Sequence, residues 1–126
     1  MRKLLSLITA ASLLLVAGTA IAAKTVTIGQ KANGKTVHLS TGDTLRVSLA
    51  GTPSTGYTWQ VLKVDRTVLK PTGWTFKPGA PRPGASGIET RRFKALKPGT
   101  TRLKLGQQQS GSGHVAKTFL IIVAVG

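Results

Sequence analysis

The sequence predicts an all-β domain, a sandwich or a barrel, and three observations carry that expectation. Apolar residues alternate with polar ones over short runs. Gly, Pro or Asn-Gly interrupts those runs every ~8 to 12 residues. Past the N-terminal segment, no stretch has the 3.6-residue apolar period of an amphipathic helix.

Each element follows from this pattern. "TVTI" at 25–28 is a short strand. "TLRVSLA" at 44–50 puts Leu45, Val47 and Leu49 on one face and Arg46 and Ser48 on the other. "YTWQV" at 57–61 sets Tyr57, Trp59 and Val61 opposite Thr58 and Gln60. "IETRRFKA" places Phe93 and Ala95 together, and "TRLKL" turns Leu103 and Leu105 inward and Arg102 and Lys104 outward. The closing "TFLIIVAV" is apolar on both faces. It should therefore sit centrally or be covered, because an exposed edge of this kind pairs with other chains. Asn33-Gly34 predicts a two-residue hairpin turn, and Thr41-Gly42-Asp43 and Lys97-Pro98-Gly99 predict reversals. Pro71 to Gly87 is expected to be a long loop with a short strand at "WTF", and Gly106 to Gly113 a second glycine-rich loop.

The first residues, "MRKLLSLITAASLLLVAGTAIAA", combine a basic start, an apolar run from Leu4 to Ala17 and Ala20-Ile21-Ala22. That is the pattern of a cleaved export leader over 1–22, followed by one domain over 23–126. "LVAGT" lacks the cysteine of a lipid-anchored leader, so the expected product is unanchored, monomeric, and periplasmic or secreted. Removing residues 1–22 from the 126-residue chain leaves 104, enough for one core. Arg2 and Lys3 go with the leader, taking the net charge from +15 to +13. The absence of cysteine excludes disulfides, thiol chemistry and Cys-based metal sites.

"GQKANGKT", Gly29 to Thr36, matches the phosphate-binding pattern G-x-x-x-x-G-K-[ST]. A phosphate loop needs a helix to begin at its Lys-Thr, and "VHLSTGD" is β-branched and turns too soon for one. A hairpin is the preferred reading. Catalytic groups are sparse: the carboxylates are Asp43, Asp65 and Glu89 and the histidines His38 and His114. Asp43 fits a turn cap, while Asp65 beside Arg66 and Glu89 near Arg91 and Arg92 fit surface roles. Ser112, His114 and Asp43 make a triad only on paper, and no metal or other cofactor is expected. The chain reads as a non-enzyme.

"GDTLRVSLAGTPSTGYTW" resembles the chagasin-like inhibitors of papain-type cysteine peptidases, whose signature is Asn-Pro-Thr-Thr-Gly-Tyr/Phe followed after one residue by Trp. Pro53, Thr55, Gly56, Tyr57 and Trp59 match directly, with Thr52 for the Asn and Ser54 for a Thr. "RRFKALKPGTTRLKL" extends the likeness. The resemblance implies an immunoglobulin-like β-sandwich whose three loops at one end wedge into the cleft of a papain-like cysteine peptidase. It places Thr52, Pro53, Ser54, Thr55, Gly56 and Tyr57 over the catalytic thiol and Gly84, Ala85, Ser86 and Gly87 beside them. Ser86 stands where the family's second loop usually has a glycine. The third loop falls near "GQQQSGSGHV"; it lacks the family's Arg-Pro-Trp and offers Gln107, Gln108 and Gln109 instead. Pro53 restricts φ and Gly56 permits φ > 0, so the first loop is expected to be pre-shaped.

The charge supports a rival of another class, a basic exported module that binds anionic envelope polymers without inhibiting anything. Arg82, Arg91, Arg92, Lys94, Lys97, Arg102 and Lys104 are close enough in sequence to share one basic sheet face. The aromatics, two Trp, one Tyr and three Phe, do not interleave with them as a base-stacking platform requires. Trp59 is expected in the core, and Trp74 as either a core lid or an exposed contact.

Overall fold

The alternating segments pair into eight strands: β1 (Thr25–Ile28), β2 (Thr36–Leu39), β3 (Thr44–Gly51), β4 (Tyr57–Lys63), β5 (Leu69–Pro78), β6 (Gly87–Ala95), β7 (Gly99–Gln109) and β8 (Val115–Val125). One sheet runs β1-β3-β6-β5 and the other β2-β8-β7-β4. The computed structural model describes residues 22–126, so the expected leader falls, apart from Ala22, outside the described residues. The β1–β3 and β2–β8 pairs are parallel and the others antiparallel. This is an immunoglobulin-like β-sandwich.

The period-two pattern sets the core. Leu45, Val47 and Leu49 of β3 and Phe93 and Ala95 of β6 face Trp59 of β4, Leu103 and Leu105 of β7, and Phe119, Ile121, Val123 and Val125 of β8, all buried. Each large side chain of this set contributes about 1.5–3 kcal/mol by leaving water. β8 lies inside its sheet, as its composition requires. Its second face is not covered, however: Leu120 and Ile122 remain exposed on the outer surface.

Three expectations need correction. Asn33-Gly34 does not close a hairpin, because β1 pairs with β3 and β2 with β8, so the segment carries the chain from one sheet to the other. A 3₁₀ turn, Gln30–Ala32, leads into it, and Asn33 Oδ1 accepts the Leu120 N–H at 2.9 Å. β2 follows at Thr36, so no helix N-terminus forms there for a phosphate. Secondly, the first half of the Pro71–Gly87 segment is strand, and only 79–86 is loop. β5 continues to Pro78, and its prolines are tolerated because it is an edge strand with a register shift between Pro71 and Gly73. Thirdly, the basic residues do not share a face. Arg92 and Lys94 lie on the outer side of one sheet and Arg102 and Lys104 on the outer side of the other, while Arg91 turns inward.

At the pole where β3 begins, Asp43 is 1 % exposed and caps two backbone amides, Lys24 N–H at 3.0 Å and Ser40 N–H at 2.8 Å. These bonds, the Lys24 amide's first, hold its carboxyl below the ordinary value of 3.8. A depressed carboxyl contributes stability that is present above the unfolded value and lost as pH falls through the folded one. Asp43→Asn is therefore expected to melt lower than the parent at neutral pH. The gap should narrow as pH drops below about 4, as thermal melts across that range will show.

Candidate functional site

The opposite pole carries three loops. Loop A (52–56) joins β3 to β4, loop B (79–86) joins β5 to β6, and loop C (110–114) joins β7 to β8. Register brings them together: Gly51 pairs with Gly87, Pro78 with Gly87, and Tyr57 with Gln109.

Loop A is a single 3₁₀ turn, Pro53–Thr55, with proline at its start and Gly56 closing it at φ 87°, ψ −2°. That left-handed conformation is open to glycine and strained for most other residues. Thr55 N–H and Oγ1–H both donate to Thr52 O, at 3.0 and 2.7 Å, and Gly56 N–H donates to Pro53 O at 2.9 Å. The Thr55 hydroxyl is thus spent on the loop's own shape. Ser54 and Thr55 are exposed at the tip, while Thr52, Pro53, Gly56 and Tyr57 are half-buried.

Loops B and C brace loop A from either side. Thr52 Oγ and Ser86 Oγ share a hydrogen bond of 2.7 Å, so the serine at the usual glycine position serves as a strut. Gly84, at φ 75°, lies close to Ser54: a Cβ there would come within 3.6 Å of Ser54 Oγ. On the other side Ser110 N–H donates to Gly56 O at 2.9 Å. Tyr57 OH meets His114 Nδ1 at 3.1 Å, with the two rings edge-to-face and 6.1 Å between centroids. Loop C is folded by the last two glutamines of β7. Gln108 Nε2 donates to Gly113 O, and Gln109 Oε1 accepts the Ser112 hydroxyl at 2.6 Å. Of the other residues expected in the second loop, Ala85 is buried at 8 % exposure and Gly87, which opens β6, is half-buried. A Cβ on Gly87 would lie 2.1 Å from Lys77 O, which makes that glycine a condition of β5–β6 pairing.

Beneath loop A lies a group that the sequence reading put on the surface. Glu89 is 1 % exposed and points between the sheets. Its Oε1 accepts the Trp59 backbone N–H and the Trp74 indole N–H, each at 3.0 Å. Arg91, two residues along the same strand, donates to Trp59 O at 2.7 Å and Gln60 Oε1 at 2.9 Å. β4 is an edge strand, so these two side chains satisfy the backbone that its free edge would leave open. Trp59 fills the core, its indole N–H donating to Ala50 O at 3.0 Å. Trp74 is half-covered and lids the carboxylate. Asp43 lies at the far pole from Ser112 and His114, so the paper triad does not exist.

A sandwich that holds three cross-braced loops at one pole has the architecture of a loop-presenting binding protein. Comparison supplies the family: residues 38–123 match the profile described as chagasin family peptidase inhibitor I42, and the chain belongs to this family of inhibitors, not to the enzymes. Amoebiasin-2 of Entamoeba histolytica is 33 % identical over 81 residues, which span 61 % of this chain and 64 % of that protein, just under two thirds of its length. Among solved structures, the cysteine protease inhibitor EhICP2 from Entamoeba histolytica superposes with a TM-score of 0.72 at 25 % identity, covering 83 % of this chain and 98 % of that one. PbICP-C, solved in complex with falcipain-2, shares the fold with a TM-score of 0.56 at 22 % identity, over 82 % of this chain and 99 % of that one.

Proposed function

We propose that this protein is an exported, reversible, non-covalent inhibitor of papain-type cysteine peptidases, and that loop A is the element laid across the catalytic thiol. The observation that carries the reading is the bracing of loop A. Its left-handed Gly56, its internal bonds and the struts from Ser86 and Ser110 leave it little to lose in entropy on entering a cleft. Ser54 and Thr55 lead, the backbone of Thr52 to Tyr57 fills the cleft centre, and Gly84 and Ser86 flank it. Because the tip is a tight 3₁₀ turn and not an extended strand, it offers no peptide bond in the geometry that a thiolate attacks. Loop C flanks the other side with a polar, glutamine-shaped surface. Export rests on the leader-like composition of residues 1–22, and the mature N-terminus read by mass spectrometry is expected at Ala23.

The test is titration of the purified protein against papain at low and high salt, with Thr55→Asp alongside. The parent should inhibit equally at both salts. Thr55→Asp places an unpaired carboxylate at the wedge's tip and should raise the inhibition constant about 30-fold, the ~2 kcal/mol of a hot-spot residue. An inert parent, or inhibition that disappears with salt, would sink the reading.

A further inference from the structure

The outer face of the β1-β3-β6-β5 sheet, a flank of the sandwich away from the loop pole, carries an array of charge that the inhibitor reading leaves unused. In register, Arg46 of β3 stands directly opposite Arg92 of β6, and Lys94 of β6 directly opposite Lys70 of β5. Like charges placed opposite one another oppose sheet formation. Nothing on the face offsets them, because all three carboxylates of the chain are engaged elsewhere: Asp43 in its cap, Glu89 between the sheets and Asp65 in the turn after β4, bonded to Thr67. Arg46 Nε is buried without a hydrogen-bond partner among the described residues, an uncommon state for a guanidinium nitrogen. Arg92 lies along the sheet, its Nη1 donating to Thr75 Oγ at 3.3 Å. The next outward row, on the loop-pole side of the arginine pair, is of hydroxyls: Ser48 and the buried Thr90 are bonded at 3.1 Å, and Thr75 stands across from Thr90.

We propose that this face is a binding site for an acidic polysaccharide, its Arg46–Arg92 and Lys70–Lys94 pairs taking sulfate or carboxylate groups and the Ser48 and Thr75 hydroxyls beside the arginines taking sugar hydroxyls. An anion between two guanidinium groups turns their repulsion into attraction. Chemistry selects the polymer class. The nearby aromatics of β5, Trp74 and Phe76, are registered with Arg91 and Glu89 on the inward side, so the face has no ring on which a base can stack. Apart from Ile88 near its end, it also presents no large apolar residue to insert among lipid tails. The site is independent of the loops, so one molecule can hold a polymer on its flank and a peptidase at its pole.

The probe is heparin, with single-stranded DNA and phosphatidylserine vesicles as rival ligands and the purified protein titrated over a salt series. Heparin is expected to bind more tightly than either rival at equal charge concentration. Arg46→Thr/Arg92→Thr should lose on the order of tenfold in heparin affinity at about 0.1 M salt, with papain inhibition unchanged. Arg102→Thr/Lys104→Thr removes the same charge from the other sheet and should stay within about twofold of the parent. Should the arginine pair prove necessary for folding, Lys70→Thr/Lys94→Thr tests the adjacent pair on the same face. Equal losses on both sheets would reduce the binding to diffuse net charge and overturn the site. Tighter binding to DNA or vesicles would overturn the polysaccharide assignment, and failure to bind heparin would overturn both.

Discussion

Gly51→Ala is expected to lower the melting temperature by about 15 °C, because one methyl group at that position enters the space of a carboxylate that cannot retreat. A Cβ on Gly51 would lie 1.9 Å from Glu89 Oε2 and 2.9 Å from its Cδ. Glu89 Oε2 is buried and has no partner among the described residues, but the carboxylate is planar, and swinging Oε2 aside carries Oε1 away from the Trp59 and Trp74 N–H groups. Either the overpacking or the broken bonds must be tolerated, at about 3 kcal/mol, or roughly 5 °C per kcal/mol for a domain of this size. Glu89→Ala alone should destabilise by a similar ~2–3 kcal/mol, since it strands the buried Trp59 amide. The two changes together should cost clearly less than their sum, because the second makes room for the first. Thermal melts of both single variants and the double complete that cycle. A Gly51→Ala protein melting within about 3 °C of the parent would show that Glu89 does not hold the root of loop A as described.

Glu89 also shows how far the strand pattern could be read. The all-β class and the inward sets on β3 and β7 follow from period-two alternation, and the central place of β8 from a composition apolar on both faces. The same rule applied to "IETRRFKA" puts Glu89 and Arg91 on the parity of Phe93 and Ala95, and so inside. Their charge argued for the surface and outweighed the parity. What reconciles the two is the free edge of β4, whose Trp59 amide and carbonyl need an acceptor and a donor. That need arises from strand order, which local pattern does not contain. Strand order likewise undid the Asn33-Gly34 hairpin, since a favourable turn does not say whether its flanking strands share a sheet. It also scattered the basic run, whose residues are neighbours in sequence but fall on β6 and β7 of different sheets. Loop A was legible as a rigid turn because Pro53 and Gly56 act locally. Its struts were not, because Ser86 and Ser110 come from distant segments.

Gly56→Val is expected to weaken papain inhibition by about 30-fold or more while lowering the melting temperature by only a few degrees. Space does not oppose the substitution, since among the described residues nothing stands nearer to the missing Cβ than Ser110 Oγ at 4.0 Å. The backbone does: φ of 87° is an outlier for a β-branched residue, with a strain of about 1–3 kcal/mol. Loop A contributes no residue to the core, so the chain can relieve that strain by letting the Pro53–Thr55 turn open while the sandwich stays folded. Opening releases the Gly56 carbonyl from Ser110 N–H and replaces one prepared shape with many, and the lost order must be restored at each binding event. Asparagine enters the left-handed region more readily than other residues with a side chain, so Gly56→Asn should keep inhibition within about fivefold of the parent. The pair separates conformation from bulk. Equal losses for valine and asparagine would assign the effect to any side chain at that point, and no loss for either would mean that the pre-formed turn is not what the peptidase recognises.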